Sequence, residues 1–378
     1  MPAPVLFLHS SDEAFGSDRV MLALVDLALS QGRRVRVLLP DDSPPGWLTG
    51  QLQARGVQPR RAVLAPVRRR YLRPRALLPF AWSLLRAGAA IRAGAGQCPN
   101  AIIHVGSSSL VAAAALGRQR RRVVWHVQEL QVSPRPLAWL LRVIPVVSAG
   151  HVVAISDYTA GELERSRLGR ARVHRVYNGL PPPAATVTAA RAPGAVRCAY
   201  VGRLQWRKGY DLFVEAAATV AARFSDTAFL VAGAPPPGEE WRAEALARRV
   251  AELGLSHRVE MLGMCHDVPA LLQAVDIVVL PSRWPESFGL VMLEAMRAGC
   301  AVIATDHGAA PEIVRTGVSG LLVPPGDAEA LAGAMAELVA RPDTRQRLAR
   351  EGQRRAGEAF SEDAFRSGVA AVWELASP

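Results

Sequence analysis

Short, wholly apolar runs alternate along this chain with stretches whose apolar residues recur every three or four positions. Val5–Leu8 is the first run, and Arg19–Ser30 follows with Val20, Leu24, Leu27 and Ala28 on one helical face. Val35–Leu39 (stopped by Pro40), Ala101–His104, Arg122–His126, His151–Ile155 and Arg172–Tyr177 continue the strand-like series, with helical segments between them. A short strand that is apolar on both faces is buried on both faces. Such strands joined by helical crossovers predict a parallel sheet covered on each side.

A Pro-, Ala- and Thr-rich break at Pro181–Gly194 interrupts this pattern, which then restarts. The next strands are Cys198–Val201, Ala228–Val231, Val259–Leu262, Ile277–Leu280, Val302–Ala304 and Gly320–Val323. The helices between and after them are Asp211–Arg223, Glu239–Leu253, Val268–Ala274, Leu290–Ala298 and Ala328–Val339. The expectation is an α/β protein with two doubly wound Rossmann-like domains in tandem, residues 1–182 and 196–358, joined by a linker at 183–195. Residues 359–378, periodic over Ser361–Leu375, are expected to form one more helix that packs back on the first domain. Facing strand ends in such a pair form a cleft, where ligands of these sheets bind.

Composition narrows the class. At 378 residues the chain is long enough for about two domains, and 50% apolar with 21% charged residues excludes a disordered polar chain. No apolar run reaches the roughly 18 uncharged residues of a membrane span. The longest candidate, Pro136–Ile155, is broken by Arg142 and Pro145, and the start of the chain lacks the basic region of a signal peptide. Cys98, Cys198, Cys265 and Cys300 form no CxxC pair, so neither a disulfide scaffold nor a zinc site is indicated, and a cytoplasmic location is expected. Of 45 cations, 44 are Arg and one is Lys208. Lys208 is followed by Gly209, which excludes a Walker A motif.

Two stretches carry chemistry. Pro281-Ser-Arg-Trp-Pro-Glu286-Ser-Phe-Gly-Leu-Val-Met-Leu-Glu294 follows a buried strand and opens a helix. The N–H groups of Phe288, Gly289 and Leu290 lie at that helix start, which suits an anion or an oxygen. Glu286 precedes the helix and Glu294 lies further along it, so the two carboxylates can reach different hydroxyls of one elongated ligand. Equally, Glu286 can serve only to complement the helix dipole, and Glu294 only to face solvent. In the second stretch, Gly202-Arg203-Leu-Gln-Trp-Arg-Lys208-Gly209, a planar guanidinium and a compact ammonium are placed to clamp a diphosphate. The bland reading is two surface cations in a loop.

Taken together, Gly202-Arg203…Lys208-Gly209 and Glu286-x7-Glu294 resemble the retaining glycosyltransferases of family 4, which have the GT-B fold. The likeness extends, in order, through Phe15-Gly16-Ser17-Asp18-Arg19-Val20, Trp125-His126-Val-Gln-Glu129, Ala154-Ile-Ser-Asp-Tyr158, Val176-Tyr-Asn178-Gly179, Gly308-Ala-Ala-Pro311-Glu312 and Gly317-Val-Ser-Gly-Leu. It implies transfer of a sugar from a UDP- or GDP-sugar to a glycan or lipid-linked acceptor, with no cofactor and no metal, as in polysaccharide, cell-wall or glycolipid biosynthesis. By the same resemblance the first domain is the acceptor side, and Arg203 and Lys208 bind the donor diphosphate. Glu294 bonds the ribose, and Glu286 with the Phe288–Leu290 amides holds the donor sugar. His126 touches the transferred sugar, and Gly16 brings backbone to the phosphate. Ser17 stands where the family often has a second glycine, which narrows that approach. His126 also reads as a satisfied core histidine at a strand end. Another GT-B enzyme, such as a nucleotide-sugar epimerase, would share much of this pattern.

Charge is uneven. Residues 1–190 carry 25 cations and 10 acids, whereas residues 191–378 carry 20 and 23. Between Asp42 and Glu129 there are 14 arginines and no acid. Arg68, Arg69, Arg70 and Arg73, followed by an apolar segment containing Trp82, read as a membrane-surface element on anionic lipid, on the inner face of the plasma membrane. A solvated basic face and a site for an anionic soluble acceptor are the alternatives. No helix-turn-helix, zinc or RNA-binding signature accompanies the charge, so nucleic acid is not expected as a partner. A non-catalytic basic binding protein is the remaining class, and it would tolerate loss of Lys208 and Glu286.

Overall fold

In the computed structural model the chain forms two compact units, residues 1–178 with 363–378 and residues 179–362. The structure describes residues 2–14, 16–42, 44–68, 71, 74–131, 134–165, 168, 171–180, 194–265 and 267–377, apart from the side chain of residue 74.

The first unit is built on seven parallel strands: β1 (Val5–Leu8), β2 (Val35–Pro40), β3 (Arg60–Ala62), β4 (Ile102–Val105), β5 (Val123–Val127), β6 (His151–Ala154) and β7 (Arg172–Arg175). Their order is β3-β2-β1-β4-β5-β6-β7. β1 sits between β2 and β4, with Phe7 in register with Val37 and His104. Its four residues are all buried, which is why its sequence is apolar throughout. The apolar pattern does not predict β3, because this strand reads Arg-Arg-Ala, pairs on one side only and is half-exposed at the sheet edge.

Helices Gly16–Ser30 and Trp47–Ala54 cover one face of this sheet. Right-handed crossovers place helix Leu77–Gly96, the 3-10 segment Val111–Arg122 and helix Arg135–Ser148 on the other, with segment 111–122 lying between the two helices. The last helix, Glu362–Ala376, buries Phe365, Val369, Val372 and Trp373 and belongs to this unit. Its Trp373 packs edge-on to Phe7 at 5.9 Å and donates its indole N–H to His104 Nδ1 at 3.1 Å.

The second unit holds six parallel strands: β8 (Val196–Val201), β9 (Thr227–Ala232), β10 (Val259–Gly263), β11 (Ile277–Leu280), β12 (Ala301–Thr305) and β13 (Leu321–Val323). The order is β10-β9-β8-β11-β12-β13. Helices Tyr210–Arg223 and Ala328–Ala340 pack together over one face and seal a core around Phe213, Phe229, Ile277 and Met335. Each sheet therefore reverses its winding once, between β1 and β4 in the first unit and between β8 and β11 in the second. The carboxyl ends of strands at such a reversal leave a crevice for ligand.

Candidate active site

The two loops that leave β8 and β11 flank the winding reversal of the second unit, and they are zipped together by their backbones. Arg283 N–H donates to Arg207 O at 2.8 Å. Gly209 comes so close to the β11 loop that a Cβ at this position would stand 1.9 Å from Pro281 O, and its φ of 71° lies in the left-handed region. Side chains reinforce the seam. Arg283 bonds Asp211 at 2.5 Å and lies over the Trp206 ring at 4.9 Å, while Trp206 meets Trp284 edge-on at 6.4 Å. The Tyr200 hydroxyl donates to Arg203 O at 2.8 Å and fixes the start of the β8 loop.

This seam brings Lys208 and Glu286, 78 residues apart in the chain, to 2.6 Å. Ser282 Oγ donates to the same carboxylate oxygen. Burial pushes the Glu286 carboxyl up, but the charge and hydrogen bond of Lys208, the Ser282 hydroxyl and the nearby Arg207 outweigh it. Its pKa falls below the usual glutamate value, so it is ionised at neutral pH. The Glu286 backbone is held as well: Ala309 N–H donates to its carbonyl at 2.9 Å. Gly308, at φ 59°, lies so close that a Cβ there would be 2.5 Å from that oxygen.

Gly289, at φ 91°, caps the helix Leu290–Arg297. The Phe288 ring is core, packed on Phe360 at 5.9 Å, so only its backbone can serve a ligand. Glu294 is half-buried on the first turns of this helix, and Arg203 is exposed on the β8 loop. The second unit thus places Arg203, Lys208, Glu286, Glu294 and the Phe288–Leu290 backbone at the loops and helix start beside one strand-order reversal.

Gly16, Ser17 and His126 belong to the first unit. Gly16 and Ser17 open the helix Gly16–Ser30, and Ser17 lies with His9, Gly106, His126 and Gln128 around a gap too small for a water molecule. Asp18, one position on, is buried and accepts from Ser11 Oγ at 2.8 Å and pairs with His9 Nε2 at 3.2 Å. His126 is fully buried, with His104 Nε2 3.3 Å from its Nδ1 and the Gln128 carboxamide nitrogen 2.7 Å from its Nε2. Burial, then the neighbouring His9, holds its pKa at about 3, so it is neutral. An indole N–H can only donate, so Trp373 makes His104 Nδ1 an acceptor and leaves its Nε2–H to donate to His126. His126 then carries its proton on Nε2. With the Gln128 and Asn178 carboxamides both turned, orientations of the same shape, Gln128 accepts that proton through its oxygen and donates its N–H to Asn178 Oδ1, across the 3.1 Å contact between the two side chains. His126 is therefore covered by Gln128, which is half-buried and is held between His126 and Asn178. The sequence signal for Gln128 was only its place two residues beyond His126. His9 and Asp18 are linked across the strand-to-helix turn, a contact that no spacing rule indicates.

The basic segment differs from expectation at Arg68. Arg68 is half-buried, paired with Asp42 at 3.1 Å and within 3.3 Å of Ser10 O, so it is held by the first unit and is not a surface cation. Arg69, Arg70 and Arg73 lie outside the described residues. Trp82 is exposed. Among the described residues no group of three or more His, Cys, Asp or Glu side chains is arranged to hold a metal ion, and no helix is long and apolar enough to cross a membrane.

Two tandem doubly wound parallel-sheet units, the second with an anchored Lys–Glu pair at its winding reversal, define the GT-B class of fold. Among solved structures, Anabaena HepE in complex with UDP and glucose aligns over 98% of each chain with a TM-score of 0.79 at 22% identity. Residues 192–355 match the family "Glycosyl transferases group 1" and residues 16–182 match "Glycosyltransferase Family 4", and the chain belongs to this glycosyltransferase family. The lipopolysaccharide core biosynthesis mannosyltransferase LpsB of Rhizobium meliloti is 37% identical over 179 residues, 46% of this chain and 50% of that protein. A D-inositol 3-phosphate glycosyltransferase of Corynebacterium urealyticum is 37% identical over 173 residues, 44% of this chain and 41% of that protein. The matched stretch spans half or less of the length of these two relatives.

Proposed function

We propose that this protein transfers a hexosyl group from a nucleoside-diphosphate sugar to a glycan or lipid-linked acceptor, with retention of anomeric configuration. The observation that carries the reading is the Lys208–Glu286 pair, fixed at 2.6 Å between the β8 and β11 loops of the second unit. Breaking a sugar–phosphate bond builds negative charge on the diphosphate. Arg203 and Lys208 are the cations of the β8 loop that meet that charge, and the first N–H groups of helix Leu290–Arg297 add a positive dipole end. Glu286, ionised and held by Lys208 and Ser282, accepts hydrogen bonds from donor-sugar hydroxyls. Glu294 does the same for the nucleotide ribose. In this role Lys208 bridges carboxylate and phosphate, so one cation orders both ends of the donor. The relatives' sugar and inositol-phosphate chemistry, and the UDP and glucose bound by HepE, support the nucleotide-sugar class.

The test is calorimetric titration with UDP, GDP and ADP, followed by turnover with the sugar of whichever nucleotide binds. Lys208→Ala is expected to weaken nucleoside-diphosphate affinity by at least about tenfold, the worth of one charged hydrogen bond. Binding of none of the three nucleotides, or affinity unchanged in Lys208→Ala, would sink the reading. Proton NMR of the first product formed reads the anomeric configuration directly.

A further inference from the structure

Helix Leu77–Gly96 has two apolar sides. Ala87, Ile91 and Ala95 are buried in the first unit, and Leu84 packs against the same core. On the opposite side Leu78, Trp82, Leu85 and Ala89 fall at the i, i+4, i+7, i+11 spacing of a single stripe, with Leu77 beside its start. Leu78 is 79% exposed, Trp82 69% and Leu85 68%. The neighbouring outer elements continue this face: helix Arg135–Ser148 exposes Trp139, Leu140 and Val147. Isolated exposed leucines are ordinary, but a helix-long stripe with two tryptophans in one layer marks an interaction surface.

Charge says what covers it. Arg75, Arg86, Arg92, Arg118, Arg120, Arg121 and Arg135 are exposed on the same three elements or at their ends. From residue 43 to residue 156 the sequence contains one acid, Glu129. A face that combines an apolar stripe, two exposed tryptophans and seven exposed arginines complements one surface: the headgroup layer of a bilayer rich in anionic lipid. There the apolar side chains enter the acyl boundary and the guanidinium groups meet phosphates. A nucleic acid would use the arginines and leave the leucines idle. We infer that the outer face formed by helix 77–96, segment 111–122 and helix 135–148 docks the first unit on anionic membrane. This docking is independent of which sugar or acceptor the protein uses.

The experiment is co-sedimentation of the full chain with vesicles of phosphatidylcholine alone and of phosphatidylcholine with phosphatidylglycerol, over a salt series. The chain is expected to partition onto the anionic vesicles, with binding falling steeply as salt rises, and to leave neutral vesicles in the supernatant. Arg118→Glu/Arg120→Glu/Arg121→Glu is expected to lower partitioning by about a hundredfold or more, since each surface cation contributes near an anionic leaflet. Leu78→Ser/Trp82→Ser/Leu85→Ser is expected to lower it by about tenfold or more. Unchanged melting curves establish that these surface variants are folded, and the wild-type salt series decides the question if they are not. The inference is overturned by any of four results: no partitioning onto anionic vesicles, equal binding to neutral ones, vesicle binding indifferent to the Leu/Trp variant, or a stripe-dependent dimer that binds no vesicles. Oligonucleotide binding abolished by the Arg variant, without vesicle binding, overturns it likewise.

Discussion

Glu286 is a carboxylate that stays charged in a mostly enclosed place, because Lys208 and Ser282 supply the partners that water would otherwise provide. Its folded pKa is depressed, so the pair stabilises the fold above the ordinary glutamate range and that contribution disappears as pH falls through the folded value. Glu286→Gln should therefore lower unfolding free energy in urea by about 1–3 kcal/mol at pH 7, with the gap from wild type closing below about pH 4. A gap independent of pH would count against the ion pair. The buried histidines act on a different window. His126 and His104 are both held far below the usual histidine value, chiefly by burial. Between about pH 6.5 and 5 the unfolded chain binds protons that the folded chain refuses, so stability falls as pH drops, by up to about 1.4 kcal/mol per pH unit for each such histidine. Carboxylates contribute little in that window, which makes a urea series at pH 7, 6 and 5 a direct check; a flat profile would contradict the buried neutral chain.

At the scale of the element, the site depends on loops rather than on strands. Gly209 and Gly308 take left-handed φ, and each lies against backbone: Pro281 O for the first, Glu286 for the second. Gly209→Ala or Gly308→Ala adds a clash that no side-chain rotation relieves. Either should cost about 2 kcal/mol or more and abolish nucleotide binding together with the Lys208–Glu286 geometry. Gly32→Ala is the internal control. Its φ is also positive, at 68°, but nothing lies within 4 Å of an added Cβ, so about 1 kcal/mol is expected. Equal losses at all three positions would show that the close approach is irrelevant. The central strands of both sheets were legible as apolar runs, because a strand covered on both faces has no solvent side to mark. β3 was not legible, since an edge strand with a half-exposed Arg-Arg-Ala needs no apolar pattern.

At the scale of the whole molecule, each unit has its own core, and the chain re-enters the first unit for its last helix. Trp373 is wholly buried there, against Phe7 and on His104 Nδ1. Trp373→Ala removes a large core side chain and leaves a buried imidazole nitrogen without its donor. It should destabilise the first unit by about 3–5 kcal/mol and leave the second at its wild-type midpoint. Calorimetry that resolves the two transitions reads this, and a shift confined to the transition of residues 179–362 would refute the assignment of the tail.

The sequence alone determined the two sheets, their place on either side of the 181–194 break, and the residue types of the site. Apolar period and loop motifs are local properties, carried within a few residues of one another. Tertiary structure decided what those residues do to each other. It joined Lys208 to Glu286 across 78 positions, covered His126 with Gln128, and tied Arg68 to Asp42, so that one arginine of a basic run became a structural cation. Pairings of this kind depend on which strand lies beside which and where each chain reversal falls. Only the folded chain sets those distances.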